Sequence, residues 1–506
     1  MADGHHGYNA STGYPSYFFR EMGADWLDFC IRIQGFEANR TGPFYRYLDL
    51  GCGQGFHLCL LAAANPQAEF VGIDFEPDYI AHGKALATAG GLKNITFVQA
   101  DFLDLAGTWP AGLGHFDYVV LQGILSWISS ELRAAAIQCV ARASKPGTAA
   151  AFGYNTPPGW LSAVPLQHVA HELAQNLDDD SAVETSIAMF RRLRGANAHL
   201  FAQMARFTDQ LEQLAVQPPG YLAHELLTDH WTPLWASDVT RMLGQAGFTY
   251  AGSATIAEAL LPDALPAEMR AVVLGITDDL LRQDVQDIVL MKQFRRDIFC
   301  RDPRRSGTGD LDIDTPIYLL SAPDEGVPVK FNTTIGGLTV DYAAVADIIA
   351  ALADGPKPAG ALMALENPAR PHTRSILLSM IDGQMLTVGS ANPGRVEIAQ
   401  RFNAAVARGV AEGRAYYYVA AAALGSALRV TDLDLLFLDT WLAASGDADE
   451  AVLADGVTNR LKNLGQELKF RGAPITDQQL RSHVGRLATV FLDQRVPQWR
   501  ALGVIE

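Results

Sequence analysis

An aspartate and three glycines alternate with other residues near the start of the chain, in the stretch YRYLDLGCGQGFHLCLLAA. They are Asp49, Gly51, Gly53 and Gly55. Glycines clear side chains from a turn, so that a ligand can approach the backbone, and the start of the following helix offers free N–H groups. A dinucleotide fingerprint, G-x-G-x-x-G, would need its third glycine one place later, where this chain has Phe56. The pattern predicts a ligand-binding turn, and an ordinary turn is the alternative.

Asp49 separates the two ligand classes that use such a turn. A nicotinamide or flavin dinucleotide places an anionic pyrophosphate there, and a carboxylate would repel it. S-adenosylmethionine has no phosphate and carries an ammonium, a carboxylate and a sulfonium. Asp49 suits the ammonium, directly or through water, and the glycine turn suits the methionine tail. The residues therefore favour S-adenosylmethionine as the cofactor.

Two further carboxylates end the next two predicted strands. Asp74 ends VGIDF, about 20 residues after the glycine turn, where a carboxylate accepts hydrogen bonds from ribose hydroxyls. Asp101 in QADF could accept a hydrogen bond from the adenine amino group, and Phe102 could pack on the ring. Each carboxylate alone could instead cap a helix, but three at successive strand ends favour one site. The residues predicted to bind the cofactor are Tyr17, Asp49, Gly51, Gly53, Gly55, Asp74, Phe75, Asp101, Phe102 and Gln122.

The acceptor side of such a site needs positioning more than acid–base chemistry. Methyl transfer requires an unprotonated nucleophile held in line with the leaving sulfur, and a cationic sulfonium favours aromatic faces. Aromatic residues that could serve there include Tyr14 and Tyr17, before the sheet. The predicted catalytic residues are Trp127, Tyr154, Asn155 and Trp160. The last three belong to YNTPPGW, whose alternative role is a rigid turn that packs against neighbouring helices.

Strand and helix patterns alternate from Tyr47 to Asn155, and this alternation predicts a parallel sheet with helices on both faces. The segment SDVTRMLGQAGFTYAGSATI then predicts a helix, a turn and a strand, and FRRDIFCR predicts a last edge strand. Between them, apolar residues recur at helical spacing, which indicates a helical insertion at about 161–217. A polar segment with Pro and Gly at 302–314 reads as a linker.

The cofactor motifs resemble those of class I S-adenosylmethionine-dependent methyltransferases. A narrower resemblance rests on SYFF, LQGILSWIS, YNTPPGW, YLAHELL, HWTPLWASDV and FRRDIFCR. These stretches look like bacterial methyltransferases with a methyltransferase regulatory domain, a group that includes rickettsial protein-lysine methyltransferases. Departures occur at Leu125, where many relatives have an aromatic residue, and in KPGTAAAF, where many have a glycine pair. Both departures lie near the predicted substrate side.

The resemblance implies an α/β fold with a Rossmann-like, seven-stranded sheet. It also implies a winged-helix-like domain and a helical region after the catalytic domain. The predicted domains are a methyltransferase domain at 1–305, with the helical insertion and a regulatory-domain-like segment at about 218–300, a winged-helix-like domain at 310–394 and a helical C-terminal domain at 395–506.

Charge and composition limit the partners. The net charge of -17 argues against a nucleic-acid-binding protein. Five cysteines without a C-x-x-C pair fit a reduced, cytoplasmic setting, and no signal peptide or stable membrane insertion is expected. A metal site in HELLTDH is not expected, because Thr228 stands where H-E-x-x-H needs its second histidine. A homodimer is considered.

These observations predict an S-adenosylmethionine-dependent methyltransferase that N-methylates lysine residues of a protein. The protein-lysine acceptor is implied by the family resemblance. A small-molecule methyltransferase is one alternative, in which the extra domains serve dimerisation or cover the site. A cofactor-binding regulator without turnover is the other.

Overall fold

The structure is a computed structural model that describes residues 16–38, 42–217, 219–307, 312–465, 469–470, 473–474 and 476–506. Within these residues, the central sheet has seven strands: β1 (Arg46–Leu50), β2 (Glu69–Asp74), β3 (Ile95–Gln99), β4 (Phe116–Gln122), β5 (Ser144–Asn155), β6 (Phe248–Ser253) and β7 (Phe294–Arg301). They lie in the order β3-β2-β1-β4-β5-β7-β6. Strand β7 is antiparallel to β5 and β6, and the other neighbouring pairs are parallel. The predicted Rossmann-like α/β fold is confirmed.

The position of β7 differs from the predicted one. FRRDIFCR was expected at the sheet edge, but β7 lies between β5 and β6. Its residues Ile298 and Phe299 are fully buried, and they belong to hydrophobic clusters on opposite faces of the sheet. A strand that is covered on both faces and paired on both sides is an interior strand. Strand β6 forms the edge instead.

Helices connect the strands and cover both faces of the sheet. The first five are α1 (Ala24–Ile33), α2 (Phe56–Ala64), α3 (Pro77–Ala89), α4 (Phe102–Gly107) and α5 (Ser130–Ala143). Adjacent residues of a strand face opposite sides, so Tyr47 packs in one core while Leu48 packs in the other. This alternation gives the sheet two apolar faces.

The segment after β5 folds into short helices with a core of their own. They are α6 (Pro157–Trp160), α7 (Val164–Ala174), α8 (Asp179–Gly195), α9 (His199–Gln203), α10 (Ala205–Ala215) and α11 (Pro219–Leu226). Apolar residues such as Leu166, Phe190 and Leu226 form one cluster. The helical unit therefore extends into the segment that the sequence assigned to the regulatory-like part. Helices α12 (Ala236–Gln245), α13 (Ala267–Leu274) and α14 (Asp279–Leu290) follow.

The chain beyond the sheet forms two small α/β groups. The first has β8 (Pro316–Leu319), β9 (Val329–Thr333), β10 (Gly336–Val340), α15 (Ala346–Leu352), β11 (Lys357–Pro358), α16 (Ala359–Met363), α17 (Thr373–Asp382) and β12 (Leu386–Val388). The second has α18 (Val396–Ala411), β13 (Tyr418–Ala421), β14 (Ser426–Arg429), α19 (Asp432–Ala443), α20 (Glu450–Asn463), β15 (Lys469–Phe470), β16 (Ala473–Pro474), α21 (Asp477–Val490) and α22 (Val496–Ala501). The winged-helix assignment of the first group stays a prediction.

Helix α2 is enclosed between the sheet and the second C-terminal group. All of its residues are buried, and it contacts α18, β13 and β14. Immediately after the helix, the Asn65 side-chain amide donates to the carbonyl oxygens of Leu61 and Gly425, at 2.9 and 2.8 Å. The apolar sequence of α2 is explained by this burial on every side.

The C-terminal region and the sheet therefore share one hydrophobic core, which runs from Phe18 to Ile505. We expected the region after about Arg305 to be a separate folding unit. That division stays a prediction, and its test must allow for the outer face of α2, which removal of the region would expose. An ion pair also crosses the predicted boundary, from Arg32 to Asp312 at 2.7 Å.

A chain that ends at Arg305 tests this packing. We expect it to aggregate or to lose a cooperative thermal transition, because the apolar outer face of α2 would meet water. Size-exclusion chromatography and circular dichroism melting, with the full chain as control, measure both properties. A monomeric fragment that melts cooperatively would show that the sheet domain folds alone.

Candidate active site at the glycine turn

The glycine turn joins β1 to α2 and adopts a backbone that requires glycine. Gly51, Gly53 and Gly55 have φ values of 80°, 53° and 73°, in the left-handed region. A Cβ at Gly51 would also lie 2.5 Å from the Ile124 side chain, and one at Gly55 would lie 2.5 Å from Phe97. Backbone conformation therefore favours glycine at all three positions, and close packing also excludes a side chain at Gly51 and Gly55. The alternate spacing seen in the sequence reflects this turn.

Asp74 holds the glycine turn in place from the neighbouring strand. Its Oδ2 atom accepts a hydrogen bond from the Gly53 N–H at 2.8 Å, and its Oδ1 atom accepts one from the Glu76 N–H at 3.0 Å. The Gly51 N–H donates to the Ile73 carbonyl oxygen at 2.8 Å. Because Asp74 ends β2 beside the end of β1, its carboxylate reaches the turn directly.

A cavity opens at the carboxyl ends of the parallel strands. All ten residues predicted to bind the cofactor line it: Tyr17, Asp49, Gly51, Gly53, Gly55, Asp74, Phe75, Asp101, Phe102 and Gln122.

Two carboxyl groups give the cavity an excess of buried negative charge. Asp49 is 5% exposed and Asp74 is 7% exposed. Burial, together with the charge of Asp74, raises the pKa of Asp49 to about 7. Burial also raises the pKa of Asp74, while backbone hydrogen bonds oppose the shift. A cationic ligand group would relieve this repulsion, whereas a pyrophosphate would increase it.

Asp101 and Gln122 are two further polar residues in the cavity lining. Asp101 is the N-cap of α4, where its Oδ1 atom accepts a hydrogen bond from the Leu103 N–H at 2.7 Å. Its capping role and its place in the cavity lining therefore coexist. The Gln122 Oε1 atom is buried and has no hydrogen-bond partner among the described residues. It offers an acceptor to a ligand N–H or O–H.

The structure does not bring the four predicted catalytic residues together. Trp127 lines the cavity, but Tyr154, Asn155 and Trp160 do not. The Tyr154 hydroxyl is fully buried and donates to Asp297 Oδ2 at 2.5 Å, beside the ion pair that Arg295 forms with the same oxygen. This placement corrects the expectation for Tyr154, which stabilises the interface of β5 with β7.

The other two predicted residues of YNTPPGW, Asn155 and Trp160, also lie outside the cavity lining. The Asn155 backbone N–H donates to Ser126 Oγ at 2.9 Å. The Trp160 Nε1–H donates to the Gln293 carbonyl oxygen at 3.0 Å, and the ring meets Trp231 edge to face. YNTPPGW is thus a buried turn, the alternative that the sequence left open. Tyr14 lies outside the described residues.

Four further residues that line the cavity had no predicted cofactor-binding or catalytic role. Phe19 and His57 lie beside the glycine turn, and His224 and Glu225 lie on α11. Burial lowers the pKa of His57 to about 3, so this imidazole is uncharged at neutral pH. The sequence signal at α11 was HELL, which we considered only as a metal motif. Within the described ranges, no group of His, Cys, Asp and Glu side chains is placed to hold a metal ion.

Helix α11 reaches the cavity because the chain after it is fastened to two strand ends. The Thr232 N–H donates to the Ser126 carbonyl oxygen, and the Leu234 N–H donates to the Asn155 carbonyl oxygen, both at 2.8 Å. These contacts place α11 over the ends of β4 and β5. Residues far along the chain thereby complete the site.

Two family models match successive parts of the chain. One is described as "Methyltransferase domain" and covers residues 43–214, and the other as "Predicted methyltransferase regulatory domain" and covers residues 218–301. The chain belongs to the class I S-adenosylmethionine-dependent methyltransferases that carry a methyltransferase regulatory domain. S-adenosylmethionine is accordingly the cofactor of this methyltransferase, and the unbalanced carboxylates of the cavity suit its cationic groups.

Two similar proteins match nearly the whole methyltransferase, and a third matches about a third of it. The protein sll1526 of Synechocystis sp. is 26% identical over 98% of this chain and 99% of its own length. The protein RP028 of Rickettsia prowazekii is 32% identical over 36% of this chain and 72% of its own length. The solved structure of PKMT2 from Rickettsia typhi in complex with AdoHcy has a TM-score of 0.72 and 18% identity, and the match covers 97% of this chain and 99% of PKMT2. The C-terminal region is therefore part of the shared fold.

Two further properties concern the helices and the cysteines of the methyltransferase. None of its helices in the described ranges has the length and apolar character that a bilayer crossing requires. The five cysteines are free and buried.

The pKa of Asp49 predicts a pH dependence of cofactor binding. A ligand ammonium beside Asp49 favours the ionised carboxyl, and below pH 7 an increasing fraction of Asp49 is protonated. We expect the affinity for S-adenosylhomocysteine, which keeps the ammonium, to fall as the pH drops from 8 to 5.5. Isothermal titration calorimetry measures this affinity.

The control for this pH dependence is Asp49→Asn, which cannot ionise. We expect its affinity to be lower at pH 8 and to vary less with pH. An identical pH profile in both proteins would assign the titration to another carboxyl group of the cavity.

Proposed function

We propose that this methyltransferase transfers a methyl group from S-adenosylmethionine to lysine side chains of a protein. The observation that carries the proposal is the fold shared with PKMT2 along nearly the entire chain, including the C-terminal groups. The sequence resemblance to rickettsial protein-lysine methyltransferases supports it independently. A net charge of -17 would also attract a lysine-rich segment and repel nucleic acid.

In this proposal, different residues of the cavity bind different parts of the cofactor. Asp49 binds the ammonium, and the glycine turn faces the methionine tail. Asp74 accepts hydrogen bonds from the ribose hydroxyls through the lone pairs that the Gly53 and Glu76 N–H groups leave open. Asp101 and Phe102 hold the adenine ring. When bound, S-adenosylmethionine supplies a methyl group on a sulfonium, whose C–S bond breaks as the acceptor nitrogen forms its bond to the methyl carbon.

The acceptor lysine must lose a proton before it can attack, because an ammonium has no lone pair. The unperturbed pKa of lysine is about 10.4. A partly buried site next to a cationic sulfonium lowers this pKa by desolvation and by repulsion of like charges. Tyr17 and Trp127 line the cavity, and their rings favour cationic and methylated groups. Methyl transfer should therefore become faster toward alkaline pH.

The acceptor class can be tested without knowing the substrate. The enzyme and methyl-labelled S-adenosylmethionine are incubated in parallel with cell-envelope protein, total RNA and a metabolite extract of the source organism. We expect label in protein, and mass spectrometry of the digested protein should locate it on lysine. Reactions without enzyme provide the background.

The other outcomes decide between the alternatives. Label in the metabolite extract alone would contradict a protein acceptor and would support a small-molecule methyltransferase. Binding of S-adenosylhomocysteine without label in any fraction would favour a regulator without turnover.

A further inference from the structure

Glu225 is a buried carboxyl group in the wall of the cavity, on helix α11. It is 9% exposed. It lines the same cavity as Gln122, which ends strand β4, and Trp127, which follows that strand. The carboxyl groups assigned above to the cofactor, Asp49 and Asp74, are on β1 and β2. Glu225 therefore enters the cavity from a part of the fold that supplies no group to the glycine turn.

One oxygen of this carboxyl group has no hydrogen-bond partner in the part of the chain that the structure describes. The Tyr221 side chain hydrogen-bonds to Glu225, whereas Glu225 Oε2 is buried without a hydrogen-bond partner among the described residues. Burying an unpaired carboxylate oxygen is costly. Burial accordingly raises the pKa of Glu225 to about 7. A carboxyl group that is fixed through one oxygen and unpaired at the other can accept a hydrogen bond from a ligand that enters the cavity.

We propose that Glu225 Oε2 receives the acceptor amine, and that the enzyme thereby selects a basic nitrogen over an anionic oxygen. An incoming amine would donate a hydrogen bond to Oε2, whereas a carboxylate or phosphate would be repelled by it. An ammonium would pass its proton to the carboxylate, and the nitrogen lone pair would then attack the methyl carbon while the electrons of the C–S bond stay on sulfur. The inference rests on methyl transfer in this cavity and not on a protein acceptor.

The cofactor analogue sinefungin tests this proposal without a substrate. It carries an ammonium-bearing carbon in place of the methyl sulfonium, whereas S-adenosylhomocysteine has an uncharged sulfur there. We expect wild type to bind sinefungin at least about tenfold more tightly than S-adenosylhomocysteine, because a hydrogen bond to a charged group forms. In Glu225→Gln this preference should disappear, while the affinity for S-adenosylhomocysteine stays within about twofold.

Calorimetry measures the affinities of both ligands for three proteins, which are wild type, Glu225→Gln and a control variant. The matched control is Glu184→Gln, on the exposed surface of α8, which should behave like wild type. Unchanged S-adenosylhomocysteine binding shows that Glu225→Gln is folded. If Glu225→Gln weakens both ligands equally, or leaves the preference intact, the proposal is wrong. The sinefungin measurement needs no methyl acceptor. Failure to label protein would therefore refute the lysine proposal and leave this result standing.

Discussion

The site depends on the hydrogen bond that the Gly53 N–H donates to Asp74 Oδ2. It is 2.8 Å long, and it joins the end of β2 to a turn whose glycines all have positive φ. The carboxylate cannot make this bond unless β1 and β2 are parallel and in register, as they are from Arg46 with Glu69 onward. The same carboxylate faces the cavity. The shape of the turn and the charge that the cofactor meets are therefore set by one side chain.

The turn is also held from its outer side by the C-terminal region. The Gln54 carbonyl oxygen can only accept, so the His82 Nδ1–H donates to it at 2.7 Å, and His82 Nε2 meets the Tyr416 hydroxyl at 2.8 Å. The Tyr416 ring stacks on Phe56, the first residue of α2, with centroids 4.7 Å apart. Since α2 has no exposed residue, the C-terminal region forms part of the support of the cofactor site. This support agrees with the matches to sll1526 and PKMT2, which extend over nearly the whole chain.

Sequence reasoning predicted the residues at the strand ends and missed the contacts between segments that are distant in the sequence. Asp49 and Asp74 could be placed together because the carboxyl ends of parallel strands meet at one edge. Tyr154 was misplaced because its neighbours alternate between faces, and only the pairing of β5 with β7 shows which face meets Asp297. Glu225 was missed because a long helical segment separates it from the sheet, and HELL alone does not reveal burial. The interior position of β7 likewise follows from pairing, which periodicity does not contain.

The most direct test of the central claim is the affinity of Asp74→Ala for S-adenosylhomocysteine, measured by calorimetry. The substitution removes a charged acceptor that the turn and the ribose would share. We predict a loss of about 1–3 kcal/mol, or roughly 5- to 150-fold in affinity. Asp78→Ala, at an exposed position in the first turn of α3, should bind like wild type. Equal affinity of wild type and a folded Asp74→Ala would contradict the account.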